Sequence, residues 1–196
     1  MKHIITIGRQ FGSGGHEIGE KLSQKLGVNF YDKEILQAVA RKTGVCEAIL
    51  SESDESASSS LLYSLVMNTR TEPFEEKMAK YEVRYLRQQA EKGSCVIIGR
   101  RANYLFRDDP ALMSVFITAP MENRIDRIME RYGLDAKAAQ NLISSTDKKR
   151  ASYYYYRTDQ RWNDLSQYQF ILDSSVFGID GTVEMLAQMV AQREKK

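Results

Sequence analysis

Several chemistries are excluded by what the chain has little of. It has two cysteines, Cys46 and Cys95, and two histidines, His3 and His16. That is too few for a disulfide framework, a cysteine metal site or a histidine-based one. No apolar run is long enough to span a membrane, and the first residues do not read as a secretory leader. A reduced, cytoplasmic setting is therefore expected. Excess charge of one sign is also missing: 28 Lys and Arg face 26 Asp and Glu, a net charge of +2. A near balance gives no overall electrostatic case for a nucleic-acid or membrane partner. Only a local cluster at 147–161, basic residues beside four consecutive tyrosines, resembles a nucleic-acid surface. What remains is a chain of 196 residues, 42% hydrophobic, the size of one domain with insertions.

The apolar pattern alternates strand and helix. "HIITI" at 3–7 reads as a buried β-branched strand, and Ile18, Leu22 and Leu26 recur at helical spacing until Gly27. "VNFYD" reads as a second strand and "KEILQAVARKTG" as a helix closed by Gly44. The acidic, serine-rich "SESDESASSS" at 51–60 reads as a solvated linker, with a flap over a site as the alternative. Residues 74–92 suggest a helix with Met78, Tyr81, Tyr85 and Leu86 on one side. "CVIIG", "MSVFIT" at 113–118 and "YQFILD" at 168–173 complete five strands, and Cys95 fits a buried strand position. Between them lie the helix "PMENRIDRIMERYG", a long polar helical stretch to Trp162, and a last helix around Ile179, Val183, Leu186 and Val190. Continuous apolar strands alternating with helices predict a parallel sheet covered on both faces. Ligands of such sheets bind beyond the carboxyl ends of the strands, so the loops at Gly8, Asp32, Gly99 and Asp173 should share one rim.

The first of those loops is "GRQFGSGGHEIG". A strand, a glycine cluster and a helix start bring backbone N–H groups and a helix dipole to one point, an arrangement that binds phosphate. Gly12, Gly14 and Gly15 suit that role, with Ser13 and His16 in the same loop. The usual pattern G-x-x-x-x-G-K-[ST] is altered. Aligned on the helix, Arg9 stands at the first glycine and Gly15 at the lysine. A cation must then come from elsewhere, with Arg9 and His16 nearest.

"RQFGSGGHEIGEKLSQKLG" followed by "FYDKEIL" resembles the cytidylate kinase-like family within the P-loop nucleoside monophosphate kinase group. The resemblance covers nearly the whole element order and is weakest over 45–92. It implies a three-layer α/β/α fold of P-loop NTPase type with a five-stranded parallel sheet. A helical acceptor-binding insertion is implied at about 33–93 and a helical lid at about 133–162. Asp32 matches a family aspartate, and "VIIGRRA" matches a segment whose arginine, here Arg100, contacts the acceptor. Arg101 stands where the family has aspartate. Arg127 and Arg131 in "DRIMER" match phosphate-clamping arginines, and Lys148, Arg150 and Arg157 fall near lid cations. "ILDSS" resembles the family's last strand.

The implied activity is ATP-dependent phosphoryl transfer to a nucleoside monophosphate such as CMP, or a related small anion, with magnesium. Gly12 to His16 and Lys148 would hold the donor. Arg9, His16, Arg127, Arg131 and Arg150 would surround the transferring group, and Asp32, Arg100, Arg101 and Arg157 would hold the acceptor. Ser13 and Asp32 are candidate magnesium ligands, through water. The partners are small nucleotides; a homo-oligomer stays open. The missing lysine leaves a non-catalytic nucleotide-binding protein as the alternative. The plainer readings are that Asp32 caps a helix, that Arg127 and Arg131 are a solvated face paired with Asp126 or Glu130, and that Arg100 and Arg101 face Asp108.

Overall fold

In the computed structural model, residues 2–42 and 74–195 are described. Gly44, Cys46 and the 51–60 stretch lie outside them. The chain divides into two compact units, Met1–Asp32 with Gly93–Lys196, and Lys33–Lys92.

The first unit carries the sheet: β1 (Ile4–Arg9), β2 (Asn29–Tyr31), β3 (Cys95–Ile98), β4 (Leu112–Thr118) and β5 (Phe170–Asp173). All pairings are parallel, in the order β2-β3-β1-β4-β5. Its helices are α1 (Gly15–Leu26), α4 (Ala102–Leu105), α5 (Met121–Tyr132), α6 (Ala136–Thr158) and α7 (Ser174–Glu194). The second unit contributes α2 (Lys33–Lys42) and α3 (Phe74–Lys92).

β1, β3 and β4 are largely apolar and buried along most of their length, as central parallel strands must be. On one face Ile5, Ile7, Val96, Ile98, Val115 and Ile117 meet Ile18 and Leu22 of α1 and Val183, Leu186 and Val190 of α7. Gly19 lets α1 lie close, since a Cβ there would run into Ile98 Cδ1. On the other face Phe116 packs against Tyr168, ring centroids 4.8 Å apart, and Trp162, 5.4 Å. Trp162 is thus a packing residue. β5 departs from the expectation of a continuous buried run: Phe170 and Ile171 are exposed, because β5 is an edge strand.

Two helices begin earlier than their apolar periodicity. α1 starts at Gly15, and α7 starts at Ser174, breaking at Gly178 (φ 66°, ψ −173°) before its apolar stripe begins. In the second unit the buried face of α3 is Ala79, Glu82, Leu86 and Ala90, while Met78, Tyr81 and Tyr85 are half-buried. The buried stripe is therefore offset from the expected one. The Tyr81 and Tyr85 rings stack on each other, centroids 6.0 Å apart.

Cys95 sits inside the sheet at 1% exposure, and burial pushes its thiol up to about 11. A thiol that stays protonated at neutral pH is a poor nucleophile. We expect Cys95 to resist iodoacetamide at pH 8 in the native protein and to react in denaturant. Rapid native labelling, mapped by mass spectrometry, would contradict the buried placement. Among the described residues no helix is long and apolar enough to cross a membrane.

Candidate phosphate-binding cleft

The parallel sheet puts the carboxyl ends of β1, β3, β4 and β5 side by side, and the loop after β1 rises between α5 and α7. Gly12 (φ 84°) and Gly14 (φ 75°) take left-handed backbone that other residues adopt only at a cost. Gly14 caps α1 without any side-chain hydrogen bond, so the first-turn N–H groups are left for another acceptor. The loop is tied down from behind. Gln10 N–H donates to the Ile117 carbonyl (3.0 Å), and the Ser174 hydroxyl donates to the Ser13 carbonyl (2.6 Å).

The expectation for Ser13 is corrected by this arrangement. Its hydroxyl is fully buried and directed at the carbonyls of Gln10 (2.9 Å) and Ile117 (3.1 Å). A side chain so placed pins the loop and does not fit a magnesium ligand. Asp32, 5% exposed, accepts from the His16 imidazole on one carboxylate oxygen (2.8 Å). His16 also meets Phe30 edge-on, ring centroids 5.5 Å apart.

A cleft of about 820 Å³ opens over the loop. Arg9, Gly12, Gly14, Gly15 and His16 line it with Arg127, Arg131 and Arg150. Arg127 reaches the loop: a Cβ on Gly14 would lie 2.8 Å from its Nη1. Neither Arg127 nor Arg131 forms an ion pair among the described residues, so pairing with Asp126 or Glu130 is not what holds them. Arg9 runs from Gly15, where a Cβ would sit 2.6 Å from its own Cβ, to Gly99, where one would run into its Nη1. Lys148 is exposed and outside the cleft lining. Helical geometry turns it away from the side that Asp147 and Arg150 present to the loop.

The largest feature not foreseen in the sequence is a network behind the loop. Asp147 on α6 accepts from the Phe11 N–H (2.8 Å) and pairs with Arg124 of α5. Arg124, 4% exposed, also donates through Nε to the Phe11 carbonyl (2.8 Å). Arg150 donates to the Arg9 carbonyl (3.0 Å), lies 3.9 Å from Asp147, and sits over the Phe11 ring at 5.4 Å. Its burial lowers its pKa from the ordinary guanidinium value, opposed by Asp147. Arg150 thus binds the loop backbone as well as lining the cleft. Phe11 itself packs with Ile128, Ala139 and Ile143, joining the loop to the α5–α6 hairpin.

Arg100, Arg101 and Arg157 gather elsewhere on the rim, around Tyr153. The phenol oxygen accepts from Arg100 (2.9 Å) and Arg101 (2.8 Å), and the three guanidinium carbons lie 5.0, 5.9 and 5.9 Å from its ring centre. Asp108, the carboxylate expected beside them, is instead 3.5 Å from Arg107. The four tyrosines divide as a helix requires. Tyr154 is buried and accepts from Asn103 Nδ2 (2.9 Å), Tyr155 and Tyr156 are exposed, and Tyr153 is between.

A sheet ordered β2-β3-β1-β4-β5, a glycine loop after its central strand and an arginine-bearing helical hairpin above it define the class of P-loop kinase folds. The chain belongs to the cytidylate kinase-like family, whose model matches residues 4–176. It is 26% identical to a cytidylate kinase from Methanopyrus kandleri, covering 93% of this chain and 90% of that one. Its identity to a cytidylate kinase from Pyrococcus horikoshii is 24%, over 92% and 84% of the two chains. An uncharacterized protein from Eubacterium ventriosum has a similar structure, with TM-score 0.76, 28% identity and coverage of 97% and 99%. Shikimate kinase from Bacteroides thetaiotaomicron shares the fold at TM-score 0.56 and 16% identity, covering 97% of this chain and 99% of that one.

Proposed function

We propose that this protein is a kinase that transfers the γ-phosphoryl group of ATP to a nucleoside monophosphate, CMP or a close analogue. The observation that carries the reading is the convergence of Arg9, Arg127, Arg131 and Arg150 on a cleft floored by uncapped N–H groups of the glycine loop. Phosphoryl transfer asks for positioning and charge neutralisation far more than for covalent help. The curated cytidylate kinases among the relatives are the reason for naming CMP.

In this reading the N–H groups of Gly14 to His16 hold the donor's β-phosphate, and Arg127 beside Gly14 meets its outer oxygens. Arg9 lies between the loop and the Gly99 turn, on the line from donor to acceptor. An acceptor phosphate oxygen attacks the γ-phosphorus, the bond to the β–γ bridging oxygen breaks, and ADP departs. Magnesium, when it enters with ATP, would neutralise charge on the donor phosphates, and Asp32 is the described residue that would hold it through water.

A coupled assay of ADP formation with ATP and a panel of nucleoside monophosphates tests the proposal. We expect turnover above the ATP-only rate, highest with CMP. Folded protein giving no ADP with any acceptor would exclude it. Gly15 at the lysine position and Arg101 at the aspartate position favour the second reading, a nucleotide-binding protein without catalysis. Calorimetry showing ATP binding in that inactive protein would establish it.

A further inference from the structure

We infer that Ser174 is a positioning residue for the donor phosphate: its buried hydroxyl holds the Ser13–Gly14 peptide in the one orientation that offers the Gly14 N–H to an anion. The inference rests on the proposed phosphoryl transfer and assigns the setting of the loop to a side chain 161 residues further along the chain.

A trans peptide is planar, and its C=O and N–H point in opposite directions. Whatever binds the Ser13 carbonyl therefore also aims the Gly14 N–H. That carbonyl accepts from Ser174 Oγ at 2.6 Å. The same hydroxyl lies 3.2 Å from the Thr118 carbonyl, but it has one proton to give, and the shorter contact is to the loop. The Gly14 N–H then points away from Ser174, at a residue that lines the cleft, whereas Ser13 is fully buried and does not line it. Among the described residues the Gly14 N–H has no acceptor. The Phe11–Gly12 peptide is set in the same manner. Arg124 Nε holds the Phe11 carbonyl from behind, and Gly12 lines the cleft.

The peptide needs such a hold. Turning it over changes the ψ of Ser13 and the φ of Gly14 together, and glycine takes either sign of φ. Residue 14 itself does not prevent the turn. The Ser13 hydroxyl cannot serve, because it is spent on the Gln10 and Ile117 carbonyls. A turned peptide would present its carbonyl oxygen where the N–H had been, and that oxygen repels a phosphate. Ser174 is well placed to oppose this. It follows β5 directly, it is 1% exposed, and the turn that carries it is fixed by Asp173, which accepts from the Ser175 N–H (2.8 Å).

Ser174→Ala removes the hydroxyl alone. With ATP and CMP as substrates, we expect KM for ATP to rise about tenfold, the size of effect that one hydrogen bond to a charged group carries, and KM for CMP to stay as it is. Ser23→Ala is the matched control, a buried serine of α1 whose hydroxyl donates to the Glu20 carbonyl at 2.7 Å. Each variant loses one hydroxyl-to-carbonyl bond, so both should melt lower, and only Ser174→Ala should move KM for ATP. Should Ser174→Ala not fold, Ser174→Cys, with its weak S–H donor, is measured by the same criteria. An unchanged KM for ATP overturns the inference. So does a rise of equal size in both KM values, or the same rise in Ser23→Ala, which would mark a merely structural residue. If the wild type turns over no nucleoside monophosphate, the proposed function fails, and the role of Ser174 is judged by calorimetry with ATP. Binding about tenfold weaker to Ser174→Ala, with Ser23→Ala like wild type, then supports it, and equal binding, or none to either, overturns it.

Discussion

Replacing Asp147 with alanine is expected to lower the melting temperature by roughly 10 °C and to remove most phosphoryl transfer. Arg124, a residue only 4% exposed, would be left without its carboxylate. Breaking a buried pair from one side costs about 3–5 kcal/mol, because the remaining charge is stranded. Asp147 retains some solvent access, so the lower end of that range applies. At about 2–4 °C per kcal/mol for a chain of this size, the melting shift follows. The Phe11 N–H loses its acceptor at the same time, and the loop loses its connection to α6. A companion variant separates the two effects. Arg124→Met with Asp147→Leu replaces the pair by apolar groups, which is often close to neutral for stability. Its melting temperature should recover most of the loss, while turnover should stay low, because nothing then holds the backbone of Phe11 from behind. If the double variant is as active as wild type, the network is only structural, and the loop does not depend on it.

That network shows where the sequence could be read and where it could not. The strands were legible because burial on both faces demands continuous apolar runs, and β1, β3 and β4 supply them. The glycine loop was legible because Gly12 and Gly14 hold backbone that few other residues take up. Arg9 was named from its place at the base of the loop, and Arg127, Arg131 and Arg150 from the family resemblance; the cleft is lined by all four. Asp147 was not legible. It stands among Lys148, Lys149 and Arg150, where a carboxylate looks like local charge balance. Its partners lie 23 residues away at Arg124 and 136 away at Phe11, and only the packing of α5, α6 and the loop brings them together. Tyr153 was one of four adjacent tyrosines, and its partners at Arg100 and Arg101 are likewise set by tertiary packing. Ser13 failed in the opposite way. A hydroxyl in a glycine loop has the same letter whether it faces a ligand or, as here, two carbonyls of its own chain. A signal was available for Asp147: a carboxylate three residues before Arg150 on one helix face can address the same neighbour.

Gly14→Ala should cut kcat by about a hundredfold while lowering the melting temperature by only a few degrees. Two separate penalties meet at this position. The backbone is left-handed, φ 75° and ψ 1°, and an L-residue there costs about 1–2 kcal/mol. The new methyl would also run into Ile179 Cδ1 and lie 2.8 Å from Arg127 Nη1. Both obstacles are ends of flexible side chains, so the fold can yield, and what moves is the guanidinium that meets the proposed donor. Displacing a charge-stabilising group by about an ångström typically costs two orders of magnitude in rate. Gly27→Ala provides the control. Gly27 has φ 65°, and a Cβ on it would meet nothing within 4 Å. It carries the backbone penalty alone, so it should lose comparable stability and keep its kcat. A kcat that falls equally in both variants would mean that backbone strain, not the position of Arg127, governs the rate. A kcat unchanged in Gly14→Ala would place Arg127 outside the reaction altogether.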